Sequence, residues 1–448
     1  MDNFWAPLHE LIETNCGQFD SIWQKRKRVI DTEFLVIFIC KLVLSKNKQG
    51  YASLLEELWE NNRFSELQGV PVSASSICEA RQKLPPEIFK RLNENILSAY
   101  TQESSLELWN GHRVFAVDGS KINLPRRLID YGYKAPNHYQ YYPKGLMSTL
   151  YHLSSGFIFD GILTSDKSER HCLFDHMDTL SVGDILVLDR GYFSYLVLYK
   201  AVEKGVHLIC RIQSGNINKA MRSFLDSNEV DKVINYQPSA SVLSEIKNQG
   251  FIIEPKPIML RLTKYIIDDE VYLCATTLLD PIRYPLKDFS GIYHARWGIE
   301  ELYKISKSFV EIEDFHGQTE NAVKQECYAH LLLINLARIF ELQAKKNLPP
   351  PTDTLSEAEG RDSYWQDFCG EIERLKINFK NCLLVLGRHL VNLFLPDVFL
   401  EQDYLNKIVN AISRLKQKIR PGRHAPRQSR KPIKKWKDAR GGKVSYAS

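Results

Sequence analysis

Apolar positions in the first hundred residues recur with a helical period. Phe34 to Leu44 is almost wholly apolar and predicts a buried helix, and Tyr51 to Leu58 is amphipathic. Val72-Ser73-Ala74-Ser75-Ser76 can cap a helix running from Ile77 to Leu84. That helix carries Arg81 and Lys83, a pattern that suits the second helix of a helix-turn-helix and equally an ordinary bundle. Residues 1–105 therefore read as a helical N-terminal domain that is a candidate for DNA binding.

From Arg113 the period changes. Val114-Phe115-Ala116-Val117 is a compact strand-like run ending in Asp118-Gly119-Ser120, and Leu146 to His152 and Phe157 to Leu163 continue it as an antiparallel meander. A helix is predicted over Glu169 to Leu180. Next, the buried strand Ile185-Leu186-Val187-Leu188 runs into Asp189-Arg190-Gly191-Tyr192. Tyr195 to Lys204 predicts a helix and Val206 to Ile212 a strand, which closes a unit over 106–213. Residues 214–285 read as a β-rich insertion, with alternating strands Ile258 to Ile266 and Val271 to Leu278 about a turn at Asp268-Asp269-Glu270. Helices return from Asp288 to Phe309 and from Glu320 to Leu342, a segment taken as 286–345. Pro349-Pro350-Pro351 opens a linker to Gly360, a helical C-terminal region extends over 346–412, and 413–448 is a tail. The chain is expected to be α/β, a mixed sheet flanked by helices.

Composition narrows the class. With 448 residues, 44% hydrophobic and 25% charged, disordered, collagen-like and coiled-coil chains are excluded. The longest apolar run, Phe34 to Cys40, is closed by Lys41, well short of the roughly 20 residues a membrane helix needs. The first residues lack a basic-then-apolar leader, so a soluble cytoplasmic protein is expected. Nine cysteines without a Cys-x-x-Cys pair suggest reduced, mostly buried side chains rather than zinc sites or disulfides. Charge is uneven: Ser413 to Ser448 holds 13 Lys or Arg and one acid, a net of +12, against −7 for the preceding 412 residues. Such a tail suits either an arm lying along phosphates or a solubilising terminus.

Asp118 and Asp189 each stand where an apolar strand leaves the core, the place where open α/β sheets put functional groups. Two such aspartates on neighbouring strands can share a cation, whereas either one alone is ordinary turn chemistry. A third carboxylate is available on the predicted helix through Glu300. There Tyr293, Arg296, Glu300 and Lys307 are spaced by three, four and seven and fall on one face, while Ile299, Leu302, Ile305 and Phe309 can face the core. A carboxylate flanked by Tyr, Arg and Lys combines a hard metal ligand with groups that grip phosphates; an exposed Arg296–Glu300 pair would give the same spacing. Glu301 lies about 100° round the helix and is the weaker candidate. Asp160, Asp166 and Glu169 suit turn and surface roles better than support of the centre, and His171 and His176 suit ordinary helix positions better than a zinc pair. Trp297 offers a stacking face for an extruded base, although its neighbour Ile299 draws it towards the core.

Taken together, Val117-Asp118-Gly119-Ser120, Asp189-Arg190-Gly191-Tyr192-Phe193-Ser194 and the Tyr293, Arg296, Glu300, Lys307 signature resemble the DDE transposases of bacterial insertion sequences, in the group named for insertion sequence four. The resemblance spans about 113–342. It implies a ribonuclease-H-like catalytic core in which Asp118, Asp189 and Glu300 bind two Mg²⁺ ions, with Mn²⁺ able to substitute. The spacing of 111 residues from Asp189 to Glu300 then holds the group's β-rich insertion. Ions about 3.5–4 Å apart would activate a nucleophile on one side of a phosphodiester and stabilise the departing oxygen on the other. Also implied are release of the element through hairpin ends, DNA contacts from Tyr293, Arg296 and Lys307, with Arg190 and Trp297 as further candidates, and a homodimer on paired ends. The partners would be the terminal inverted repeats and target DNA in a bacterial nucleoid, with no membrane. Two alternatives stay open, a nuclease that cuts without joining and a catalytically silent end-binding protein.

Overall fold

The computed structural model describes residues 5–24, 29–45, 50–60, 72–137, 140–213, 215, 218–267, 270–308, 310–348, 375–394 and 402–418. The turn at Asp268 and Asp269, the Pro349 linker and the tail beyond 418 lie outside them. Five helices come first: α1 (Trp5–Trp23), α2 (Thr32–Leu44), α3 (Tyr51–Trp59), α4 (Ala74–Lys83) and α5 (Glu87–Glu103). The expected apolar helix is α2, whose first turn is capped by Asp31 accepting the Phe34 N–H. Helix α4 starts three residues earlier than its apolar pattern suggests, because Ser73 serves as N-cap and accepts the Ser76 N–H.

Strands β1 (Val114–Asn123), β2 (Lys144–His152) and β3 (Ile158–Thr164) form the expected meander. After α6 (Glu169–Met177), strand β4 (Ile185–Leu188) returns parallel to β1, and α7 (Tyr195–Lys204) leads to β5 (His207–Arg211), parallel to β4. Then follow α8 (Lys219–Asp226), β6 (Asp231–Tyr236), α9 (Ala240–Asn248), β7 (Ile258–Ile267) and β8 (Glu270–Thr276). Helices α10 (Lys287–Ala295), α11 (Trp297–Ser308) and α12 (Glu320–Lys346) come next. The described chain ends with β9 (Leu375–Ile377), α13 (Phe379–Phe394), α14 (Gln402–Ser413) and β10 (Lys416–Lys418), the last strand pairing with β9.

An antiparallel meander extended on its β1 side by two parallel strands, with helices on both faces, is a ribonuclease-H-like core. The segment read as a β-rich insertion continues this sheet. Strand β8 pairs antiparallel with β5 through Ile209↔Thr276 and Cys210↔Ala275 and brings β7 and β6 with it, giving the order β3-β2-β1-β4-β5-β8-β7-β6. Without β8, β5 would present an open edge of backbone donors and acceptors, which pairing satisfies. The segment also contains α8 and α9, which its strand-like alternation does not announce.

The helices at the two ends of the chain do not stand apart from the core. Residues of α2, α13 and α14 join α12 and the inner row of the sheet in one apolar cluster that runs from Ile12 to Ile412. Here Arg81 corrects the DNA-reading expectation. Its side chain is 2% exposed and donates to Glu326 Oε1 at 2.9 Å, Gln325 Oε1 at 3.1 Å, the Ala322 carbonyl at 3.1 Å and the Tyr51 hydroxyl. Arg81 thus ties α4 to α12. A cation paired inside a protein and one facing a phosphate leave the same mark on a sequence. Among the described residues the cysteines are unpaired and buried except for exposed Cys78, and no helix is long and apolar enough to cross a membrane.

Candidate active site

On β1, Val114 and Ala116 face the helix layer of α12, and Asp118 continues that row with the strand period of two. On β4, Ile185 and Val187 face the same way, and Asp189 follows. The last residues paired between the two strands are Ala116 and Val187, so both aspartates lie two residues further along, side by side: Asp189 just past the end of β4, and Asp118, contrary to its expected place at a strand end, in the middle of β1, which stays paired with β2 through Asp118↔Thr149 as far as Asn123↔Lys144.

The predicted single helix through Glu300 is broken in two at Arg296, where i→i+3 hydrogen bonds from Arg296 N to Tyr293 O and from Ile299 N to Arg296 O tighten the turn. The four signature side chains still converge. Tyr293 donates its hydroxyl to Asp189 Oδ1 at 2.9 Å, and Arg296 pairs with Glu300 Oε1 at 2.7 Å. Lys307 donates to Ser120 Oγ at 2.5 Å and to the Lys121 carbonyl at 2.8 Å. Tyr303, absent from the sequence expectations, anchors α11 by donating to the Asp118 carbonyl at 2.8 Å. Ile299 and Leu302 are buried beneath this stripe as expected.

The outward-facing stripe needs correcting at two positions. Tyr293 and Arg296 are each 5% exposed and turned towards carboxylates, whereas Glu300 is nearly half exposed. Several negative charges gathered at strand ends favour a buried guanidinium among them. Its Nε has no hydrogen-bond partner among the described residues. Trp297 is also not in the core: it is 50% exposed with its ring 4.5 Å from that of His294. It opens the short α11 on the outer side of the break. Arg190 is exposed beside Asp189. Glu301 is exposed and acts electrostatically on His294 and Tyr151, while Glu300 acts on Asp118.

The two aspartates titrate apart. Burial, and after it the carboxylates of Glu169 and Glu300, push Asp118 up to about 6 against the pull of the Gly119 N–H and Arg296. Burial acts upward on Asp189 too, but the Arg190 N–H, the Tyr293 hydroxyl and the guanidinium groups of Arg296 and Arg190 hold it below the usual carboxylate range.

Among the described residues no three His, Cys, Asp or Glu side chains are gathered closely enough to hold a metal ion, and Glu300 is paired with Arg296. The donor set nevertheless fits a hard divalent cation, being all oxygen.

Sequence reasoning undervalued Glu169, which opens α6 beside Gly119, and overlooked Tyr192, buried with its hydroxyl unpartnered among the described residues. The signal was the glycine after Asp118, which marks a close approach as well as a turn. Asp160 and His176 are structural: His176 is buried between Ser148 Oγ at 3.0 Å and Asp160 Oδ2 at 2.8 Å, and Lys90 pairs with Asp160 at 2.7 Å. Asp166 accepts from the Thr164 hydroxyl at 2.8 Å in a turn.

Comparison with known proteins gives the family. Residues 109–336, just over half the chain, match the family described as Transposase DDE domain. The transposase InsG for insertion sequence element IS4 of Escherichia coli (strain K12) is 20% identical over 334 residues, covering 72% of each chain. A cryo-EM structure of a piggyBac transposase synaptic complex with hairpin DNA aligns over 94% of this chain and 85% of that one, with 11% identity and a TM-score of 0.38. That overlap is too loose to add to the strand order. The family match and the IS4 relative together place this chain among the DDE transposases of the insertion sequence four type.

Proposed function

We propose that this transposase binds the ends of its own element and moves it by cut-and-paste, with Asp118, Asp189 and Glu300 as the ligands of two divalent ions. The observation that carries the reading is the level placement of Asp118 and Asp189 on adjacent parallel strands, beside the helix bearing Glu300. Family membership supports dependence on divalent ions, and oxygen ligands suit Mg²⁺, with Mn²⁺ as substitute. When bound, the ions supply Lewis-acid stabilisation of the charge that builds on a phosphodiester under attack.

The chain's own groups orient and balance that chemistry. Tyr293 holds Asp189 in one rotamer through its hydroxyl. Arg296 neutralises Glu300, and as Glu300 turns to the centre the guanidinium fork is released to a phosphate. Lys307, positioned by Ser120 and the Lys121 carbonyl, puts a cation along the same edge. Exposed Arg190 contributes a further phosphate contact, and half-exposed Trp297 a stacking face for a base displaced as the end closes to a hairpin. Two ends must be processed together, so the working form is a homodimer on paired ends and target DNA, acting on the bacterial nucleoid in the cytoplasm.

The test is cleavage and strand transfer on DNA carrying the element's own end, with Mg²⁺ and with Glu300→Gln in parallel. Hairpinned or joined ends from the wild type, and binding without either product from the variant, are expected. Nicks or degradation without joining would replace the reading with a nuclease, and binding without any cut would replace it with an end-binding protein.

A further inference from the structure

The stretch of β1 just past Asp118 and the loop that leaves Asp189 are both clasped by the first turn of α6. At Gly119 an added Cβ would lie 2.9 Å from Glu169 Cγ and 3.1 Å from Glu169 Oε1, so the space a side chain would fill is taken by this carboxylate. The next residue, Arg170, donates Nε at 3.0 Å and Nη2 at 2.8 Å to the Gly191 carbonyl, two residues past Asp189. Ser168 caps the helix by accepting the His171 N–H, which fixes where Glu169 begins. Glu169 is exposed, and its carboxylate has no hydrogen-bond or ion-pair partner among the described residues.

A second observation points into the same space. Tyr192 is 2% exposed, yet its hydroxyl meets no partner among the described residues. Of the charged groups around it, Glu169 and then Asp118 act on it most strongly. A buried hydroxyl with nothing to donate to costs roughly 1–3 kcal/mol, so its retention at such a place implies a ligand or ligated water to receive it.

Resting on the ion-centre reading above, we infer that Glu169 is a fourth carboxylate of the divalent-ion site, seated by Gly119, with the Tyr192 hydroxyl as a fixed donor to the ion's oxygen shell. Glu169 reaches this part of β1 from the α6 face of the sheet, where Leu173 and Met177 pack with Phe115 and Val117, opposite to the α11 face that carries Glu300. The ion class is the hard, oxygen-ligated divalent cation, for which an added carboxylate raises affinity without changing the chemistry. Tyr192 is a positioning residue in this arrangement.

The experiment titrates the full-length protein with Mn²⁺ and follows free ion by electron paramagnetic resonance, for wild type, Glu169→Gln, Tyr192→Phe, Asp118→Asn and Glu301→Gln. Folding of each is checked by circular dichroism. Loss of a supporting ligand weakens a metal site about 10- to 100-fold, so Glu169→Gln is expected to weaken Mn²⁺ by about tenfold or more and Tyr192→Phe to follow in the same direction. Glu301→Gln, a neighbouring surface carboxylate, should match wild type. If Asp118→Asn loses the ion while Glu169→Gln keeps wild-type affinity, the role of Glu169 is overturned and the ion centre stands. If Asp118→Asn also keeps it, or wild type binds no Mn²⁺ at millimolar concentration, the ion centre itself is overturned and Glu169 with it.

Discussion

Replacing Glu326 by Gln isolates the buried cross-link between α4 and α12. Glu326 is 1% exposed; its Oε1 accepts from Arg81 at 2.9 Å and from the Gly317 N–H at 2.8 Å, and its Oε2 accepts the His316 N–H at 2.9 Å. Glutamine keeps the shape but removes the countercharge of a buried guanidinium and sets an NH₂ group against at least one of these donors. Breaking a buried ion pair from one side costs about 3–5 kcal/mol, and since one acceptor oxygen survives, a loss of about 3 kcal/mol is expected. The titration gives the same size. Burial acts upward on Glu326, but His316, Arg81 and the His316 N–H outweigh it and bring the carboxyl from 4.5 to about 2. At 1.36 kcal/mol per unit that difference is again about 3 kcal/mol. Because the folded value lies below the unfolded one, the stabilisation is fully present above about pH 4.5 and is lost as pH falls towards 2. Thermal unfolding followed by circular dichroism should therefore show a midpoint lowered by roughly 5 °C at neutral pH, with the gap narrowing between pH 4 and pH 3. A midpoint within 1 °C of wild type at pH 7, or a gap that persists unchanged at pH 3, would refute the cross-link.

At the candidate centre, Gly119→Ala puts a methyl 2.8 Å from Leu146 Cδ1 and 2.9 Å from Glu169 Cγ, so element-end cleavage should fall about tenfold or more in a protein that still folds, as a gel assay with a circular dichroism control would show. Asp118→Asn should stabilise the metal-free chain: a carboxyl raised from 3.8 to about 6 on folding weakens the fold above pH 6 by up to about 3 kcal/mol, and a higher melting midpoint at pH 8 but not at pH 3.5 checks the sign. Tyr293→Phe removes the donor 2.9 Å from Asp189; hydrogen bonds to charged groups contribute about 1.5–3 kcal/mol, so the melting midpoint should fall at neutral pH and cleavage should slow about tenfold or more, as thermal unfolding and the gel assay would show.

Much of the centre was legible because its chemistry sits on short-range regularities. Continuous apolar runs that close on an aspartate singled out Asp118 and Asp189, which lie level on adjacent parallel strands although β1 itself continues past Asp118 to Asn123. The three-four-seven spacing brought Tyr293, Arg296, Glu300 and Lys307 to one edge despite the break at Arg296, since a tightened turn shifts the stripe by only a fraction of a residue. Direction was less legible. Helical spacing groups side chains without saying whether the group faces water, and only the opposing carboxylates decide that Arg296 and Tyr293 are buried and Trp297 is not.

The sequence by itself determined the apolar helix α2, the strands of the meander with β4 and β5 after it, and the two aspartates that close apolar runs, because hydrophobic period and turn chemistry act over neighbouring residues. Tertiary structure alone decided the rest. Residues 214–285 became three strands of the same sheet because the edge of β5 needed pairing from a segment 60 residues away. Arg81 became an internal tie because Glu326, 245 residues on, came to lie against it. Glu169 reached Gly119 because the sheet brought β1 and the start of α6 together. Each of these depends on which distant groups meet in a low-dielectric interior, where an unpaired charge or backbone group is costly, and no local pattern encodes that meeting.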